Sequence, residues 1–337
     1  QAFLKYVTDL QDAYAPFVED TTKPINADSQ QELLTKAQES FLALHNQFPD
    51  FPLFIFPAFS HYESDEVADE EGKNWTAYGF DPEIRLHWQG QEQQHKREEY
   101  DGLKNKFVPL IEERCGGLVN TDFVRNYKIF SGDTILTSGV NMKGLTEAQG
   151  EGNVILIIEA EADQKEERKL DEILRSLLPN EEDRAMIDSP EFRNLTDRTN
   201  AFHELGHGLY DEKSEAAENL GNLDDKLAEL KSELAMWSSA VTILRRETEK
   251  TFGVKTDQAI ILSLLRAAFR YCRKEKSEPE YYFADKHIVE MLINAGVIDA
   301  SDGQVKLREE RLNGGLENVF TEELRKMLEV YQRAEEG

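Results

Sequence analysis

Residues 222–249 carry the pattern that most restricts the fold of this chain. Leu223, Leu227, Leu230, Leu234, Trp237, Val241 and Leu244 recur at spacings of three and four. That periodicity puts them on one stripe of a long amphipathic helix, and Asn222 stands where an N-cap belongs. It is the clearest helix in the sequence, and its stripe has to be buried against other elements.

The flanking sequence supplies candidates. Helical spacing also marks residues 2–18, 29–47 (with Leu33, Leu34, Ala37, Phe41 and Leu44), 256–274, 279–295 and 320–334. Ser189-Pro190 reads as an N-cap followed by proline at the first helical position. A further helix is expected at 101–116, stopping at Gly116-Gly117. Residues 50–90 differ in character. They are rich in Phe, Pro and Trp, with short alternating runs at Thr76–Phe80 and Ile84–Trp88, and predict short strands and loops. Strands are also expected near 126–130 and 153–159, joined by a glycine-punctuated loop. The fold class is therefore α+β: a mainly helical C-terminal part, residues 118–337, follows a smaller mixed strand and helix region, residues 1–117.

Composition narrows the function classes. Of 337 residues, 39% are hydrophobic and 31% charged, a globular balance, and the formal net charge is -27. A field of that sign repels phosphate backbones, so no nucleic-acid partner is expected. The acid is spread over helical surfaces rather than gathered into a tail. No apolar run has the length of a membrane span, and no membrane partner is expected. Two cysteines, Cys115 and Cys272, suggest free thiols in a reducing compartment, hence a cytoplasmic location. No basic-then-apolar targeting pattern opens the sequence. Because it begins at Gln1 rather than Met, a removed segment stays open.

The chemistry lies in Ala201–Tyr210, "AFHELGHGLY". His203 and His207 are one helical turn apart on one face, so both can turn a ring nitrogen to a single zinc ion. Glu204, one residue after the first histidine, is placed to take a proton from water at such an ion. Gly206 and Gly208 are poor helix residues, and suggest that another backbone or a substrate comes close. A third histidine does not follow, since Tyr210 and Lys213 occupy the positions where H-x-x-G-x-x-H would continue. The remaining protein ligand is sought on the next helix. There Glu229 and Glu233 again form an i, i+4 pair, at the stripe edge extended by Met236 and Ala240. Two carboxylates at a buried edge need compensating charge. On this reading Glu229 completes the ligand set and Glu233 supports a ligating histidine ring. The alternative is a solvated glutamate pair beside Lys226 and Lys231.

Taken together these motifs resemble the dipeptidyl peptidase III family of zinc peptidases. One part of the resemblance is His203 to Gly208. A second is Ala228-Glu229-Leu230-Lys231-Ser232-Glu233, similar to the family's Glu-Glu-x-x-Ala-Glu. A third is "GVNMKGLTEAQGEGNVIL", Gly139 to Leu156, with a weaker echo in "HIVEMLINAGVI" at 287–298. Residues 1–110 show no such likeness. There are departures: the histidine motif has one residue fewer than in most of the family, and Ala228 replaces a glutamate. The late-helix position where the family has a transition-state histidine falls on Tyr281 or Tyr282, with His287 more than a turn later.

The resulting expectation is a metallopeptidase holding one Zn2+ on His203, His207 and Glu229, with Glu204 as general base on zinc-bound water. Release of dipeptides from peptide N-termini is implied by the resemblance alone. Two alternatives stay open: a non-catalytic zinc- or peptide-binding module, and a zinc hydrolase with a non-peptide substrate. The sequence does not fix the oligomeric state.

Overall fold

The computed structural model describes residues 1–19, 53–68, 74–88, 91–126, 128–134, 145–147, 154–159, 164–209, 215–271, 279–308 and 315–336, with single residues between 36 and 48. The helix read at 222–249 becomes the axis of the molecule. It runs over Asp224–Phe252 (α8), and every residue from Glu229 to Val241 is buried. A helix buried on all sides is surrounded by others. Here these are α2 (Gln91–Cys115), α6 (Pro190–His207), α9 (Thr256–Tyr271), α10 (Pro279–Asn294) and α11 (Leu316–Glu335).

Six of the seven stripe residues lie in this core. Leu223 does not: it is exposed and occupies the N-cap position itself. Asn222 falls in a preceding 3-10 turn, Gly221–Leu223, so the side-chain cap expected there gives way to a tighter helical turn. Small residues let neighbours approach α8. Ser232, Ala235, Ser238, Ser239 and Ala240 are buried along it. Large aromatics fill the remaining space: Trp237 stacks on Phe320 of α11 with ring centroids 4.8 Å apart, and Phe107 of α2 stacks on Phe202 of α6 at 5.9 Å.

Polar ties lock helix to helix. Arg114 of α2 donates to the Ser238 carbonyl, to Thr242 Oγ1 at 2.6 Å and to Glu317 Oε2 at 2.9 Å, joining α2, α8 and α11. Inside the core, Arg266 of α9 pairs at 2.7 Å with Asp171 of α4 (Gln164–Leu177), both buried.

Among the described residues the strands form two sheets. The larger takes the order β1-β2-β3-β5-β4, from β1 (Leu53–Ala68), β2 (Asn74–Trp88), β3 (Lys128–Thr134), β4 (Leu145–Glu147) and β5 (Val154–Glu159). Only β3 and β5 are parallel. A two-residue pair, β6 (Ile298–Asp299) and β7 (Lys306–Leu307), follows α10. The architecture is α+β and mainly helical.

Several boundaries differ from the expectation. The short runs at 76–80 and 84–88 belong to one strand, β2, which pairs with β1 nearly end to end. Proline punctuation misleads there. Among the described residues β2 meets β3 only at His87 and Trp88 and β1 pairs only with β2, and Pro57 and Pro82 sit in the ribbon without breaking its pairing. Helix α2 begins at Gln91, ahead of the expected 101, because its polar first turns are built of good helix formers rather than of an apolar stripe. The loop expected between β3 and β5 contains β4, and a short helix α3 (Asp122–Asn126) precedes β3. Of the helix expected at 29–47, Leu44 is buried, and Leu33, Leu34, Ala37 and Phe41 lie outside the described residues. Helix α1 (Ala2–Glu19) and α9–α11 fall close to their expected places, α11 starting four residues early. Among the described residues no helix is long and apolar enough to cross a membrane.

Candidate metal centre

The histidine helix is set at both ends. Ser189 accepts the Phe192 amide at its N-cap, with Pro190 in the first turn, and the last turn closes at Gly208. Between them α6 crosses α8 at very short range. A Cβ placed on Gly206 would lie 2.7 Å from Ser232 Cα and 3.0 Å from its carbonyl oxygen. Only a residue without a side chain fits there, which is why glycine is tolerated inside this helix. The close approach expected from Gly206 is that of α8.

That contact brings the two i, i+4 pairs face to face. His203 Nε2 lies 3.2 Å from His207 Nε2. Glu229 Oε2 lies 3.3 Å from the first nitrogen and 3.6 Å from the second. A triangle with these sides has its centre about 2 Å from every corner, the length of a zinc–nitrogen or zinc–oxygen bond. The imidazole rings stand edge to face, 80° apart. Glu229 Oε2 and Glu233 Oε2 are buried, and no hydrogen bond of good geometry reaches either. Buried carboxylate oxygens in that state call for a positive partner, which a bound cation or a protonated His203 supplies. His203, His207 and Glu229 together could hold a metal ion, and two imidazoles with one carboxylate suit zinc with a position left for water.

The second carboxylate stands behind the first histidine. Glu233 Oε1 is 3.0 Å from His203 Nδ1, the nitrogen turned away from the triangle. That is an ion-pair distance without hydrogen-bond geometry, and a carboxylate so placed can orient the ring. Glu204 is buried on α6 directly after His203.

Electrostatics sort the two histidines. Burial pushes His207 down to about 4, and the neighbouring His203 and Lys231 charges act the same way against Glu229. Burial thus favours the neutral imidazole at His207, the form that ligates. Burial also opposes charge on His203, but Glu229 and Glu233 outweigh it and hold that ring well above its ordinary value. Glu229 stays ionised: burial raises its carboxyl, while His207, His203 and a hydrogen bond from Tyr281 bring it below the usual range.

This last contact separates the three late-helix candidates. Tyr281, in the first turn of α10, reaches the Glu229 carboxylate. His287 Nε2 lies 3.4 Å from Glu323 Oε1 of α11, and no contact with the cluster is seen for the half-buried Tyr282. One residue at the cluster has no signal in the sequence. Lys231, named in the sequence only beside the alternative of a solvated glutamate pair, is buried, with Nζ 3.3 Å from the His207 carbonyl and 4.9 Å from the Tyr331 ring centre. A lysine between two glutamates looks like any exposed helical surface. Tyr210 and Lys213 lie outside the described residues, as does much of Gly139 to Leu156 beyond β4 and the start of β5. A cleft of about 410 Å³ at the other end of α6, lined by Pro190, Asn194, Arg198 and Thr251 among others, is separate from the cluster.

No protein-family model matches the chain, and no curated protein matches it. Among solved structures, dipeptidyl-peptidase III from Corallococcus sp. strain EGB is similar, with a TM-score of 0.54 at 14% identity. The match covers 91% of this chain and 57% of that one, so the chain spans little more than half of that protein's length. At such identity the likeness is one of fold alone, a mainly helical α+β architecture.

Proposed function

We propose that the chain is a zinc-dependent metallopeptidase. The observation that carries this reading is the convergence of His203 Nε2, His207 Nε2 and Glu229 Oε2 on one point in a buried site. The fold likeness to a dipeptidyl peptidase supports it.

His203, His207 and Glu229 would hold the ion, and Glu233 would keep the His203 ring turned to it. Zinc, when bound, supplies a Lewis acid for the scissile carbonyl and makes water acidic enough to be a nucleophile near neutral pH. Glu204 takes a proton from the attacking water as its oxygen bonds to the carbonyl carbon. It then delivers that proton to the departing amine nitrogen as the C–N bond breaks. The Tyr281 hydroxyl, hydrogen-bonded to the Glu229 carboxylate, would help to hold that ligand in place. Release of dipeptides from free N-termini is the specific activity proposed.

Metal analysis of the purified protein, together with hydrolysis of a dipeptidyl-naphthylamide panel with and without chelator, tests the reading. One equivalent of zinc and chelator-sensitive release of naphthylamine are expected. Protein that takes up no zinc would overturn the reading. Bound zinc without turnover on any dipeptidyl substrate or unblocked peptide would favour a binding module instead.

A further inference from the structure

Lys231 is 2% exposed. An ammonium so deeply placed carries a large desolvation cost, and an apolar side chain of similar length would avoid it. Its surroundings explain what the charge is for. The His207 carbonyl belongs to the last turn of α6, where helix carbonyls have no partner within the helix and the dipole is negative. Lys231 Nζ donates to that oxygen at 3.3 Å. On its other side the ammonium lies 4.9 Å from the centre of the Tyr331 ring, on α11, which is itself buried. One side chain of α8 thus ties the end of the histidine helix to α11, at the residue that carries the second imidazole.

We propose that Lys231 is a positioning residue of the metal centre: its ammonium, clamped between the His207 carbonyl and the Tyr331 ring, fixes the last turn of α6 so that both imidazoles meet Glu229. The Gly206–Ser232 contact sets how near the helices come. Lys231 sets where along α8 the turn carrying His207 stops. Glu229 and Glu233 lie two residues to either side of Lys231 on α8, so carboxylates and clamp share one rigid frame. The inference rests on the metal-site reading above and adds a residue to it that touches neither ion nor substrate.

The test compares wild type with Lys231→Met, Lys231→Arg and Tyr331→Leu, using zinc affinity by chelator competition and the visible spectrum of the cobalt-loaded protein. Leu244→Ala, about three and a half turns along α8, serves as a control that loses core packing only. Lys231→Met is expected to weaken zinc binding about tenfold or more and to change the cobalt bands, as loss of groups that orient ligands does. Tyr331→Leu should move both readouts the same way, and Lys231→Arg should restore part of each. The control should lower the melting temperature with zinc affinity and cobalt bands unchanged. Wild-type zinc affinity and an unaltered cobalt spectrum in both Lys231→Met and Tyr331→Leu would overturn the positioning role while leaving the metal site standing. Wild-type protein that binds no metal would overturn both.

Discussion

Gly206 and Ser232 hold α6 and α8 in backbone contact, with room for a hydrogen at residue 206 and for nothing larger. The two helices carry all three proposed metal ligands, so this contact controls the site as well as the packing. Gly206→Ala would gain about 1 kcal/mol of helix propensity, but the atoms met are the Ser232 backbone and the Ala235 Cβ, which cannot swing aside. Overpacking of that kind costs about 1–3 kcal/mol. A lower melting temperature and weaker zinc binding are expected together, measured by thermal unfolding of the metal-free protein and by chelator competition.

Glu204→Gln separates binding from chemistry. The variant keeps the shape of the side chain and removes its ability to accept a proton. Metal content should equal that of wild type, and peptide hydrolysis should fall by about 10²–10⁴-fold, the usual weight of a general base. Full turnover in a zinc-loaded Glu204→Gln protein would remove Glu204 from the mechanism.

The two carboxylates of α8 should fail differently. Glu229→Ala deletes a ligand and should abolish stoichiometric zinc. Glu233→Gln leaves the ligand set intact and loosens the His203 ring, so affinity should fall by about 10–100-fold with the stoichiometry retained. Equilibrium dialysis of both variants distinguishes the cases, and equal effects would contradict the assigned roles.

Acid should loosen the junction of α2, α6 and α8. Glu247 of α8 is opposed by burial, yet hydrogen bonds and charge from Lys106 of α2 and Arg198 of α6 bring its carboxyl below the ordinary value of 4.5. A depressed carboxyl contributes stability above its unfolded value, and that stability is lost as pH falls through the folded one. Melting temperatures of wild type and Glu247→Gln should therefore differ at pH 7 and converge as the solution is acidified toward pH 3. A constant gap would mean that the ion pairs do not carry the effect.

Cys115 should be silent in the folded protein. Burial pushes its thiol up to about 11, against the nearby Arg325 and Arg114 charges, so little thiolate exists at pH 8. In a Cys272→Ser background, iodoacetamide should leave the native protein unmodified and label it after denaturation, read by intact mass.

How far the sequence reveals this site depends on the range of the interaction concerned. The pairs His203/His207 and Glu229/Glu233 are visible because helical periodicity alone brings i and i+4 together. The Leu227-to-Leu244 stripe is visible for the same reason. That α6 and α8 meet at Gly206 is only hinted by a glycine in a helix. Tyr281 over His287 is not legible, because the choice depends on how α10 is rotated against α8 and α11. Lys231 misleads outright: α11 packs over it, through a contact 100 residues away along the chain at Tyr331. β1 and β2 mislead for a different reason, since proline is forbidden between two partner strands but not along an open edge.

The burial of α8 from Glu229 to Val241 has a consequence for the life of the metal centre. Segments at the centre of a fold exchange their amide hydrogens only when the whole molecule opens. Half of the site is built into that segment, so the ligand geometry should persist until global unfolding rather than fray beforehand. By linkage, a cation bound there would raise the free energy of opening everything around it. Amide exchange along α8 would then act as a gauge of metal occupancy, read far from the ion itself.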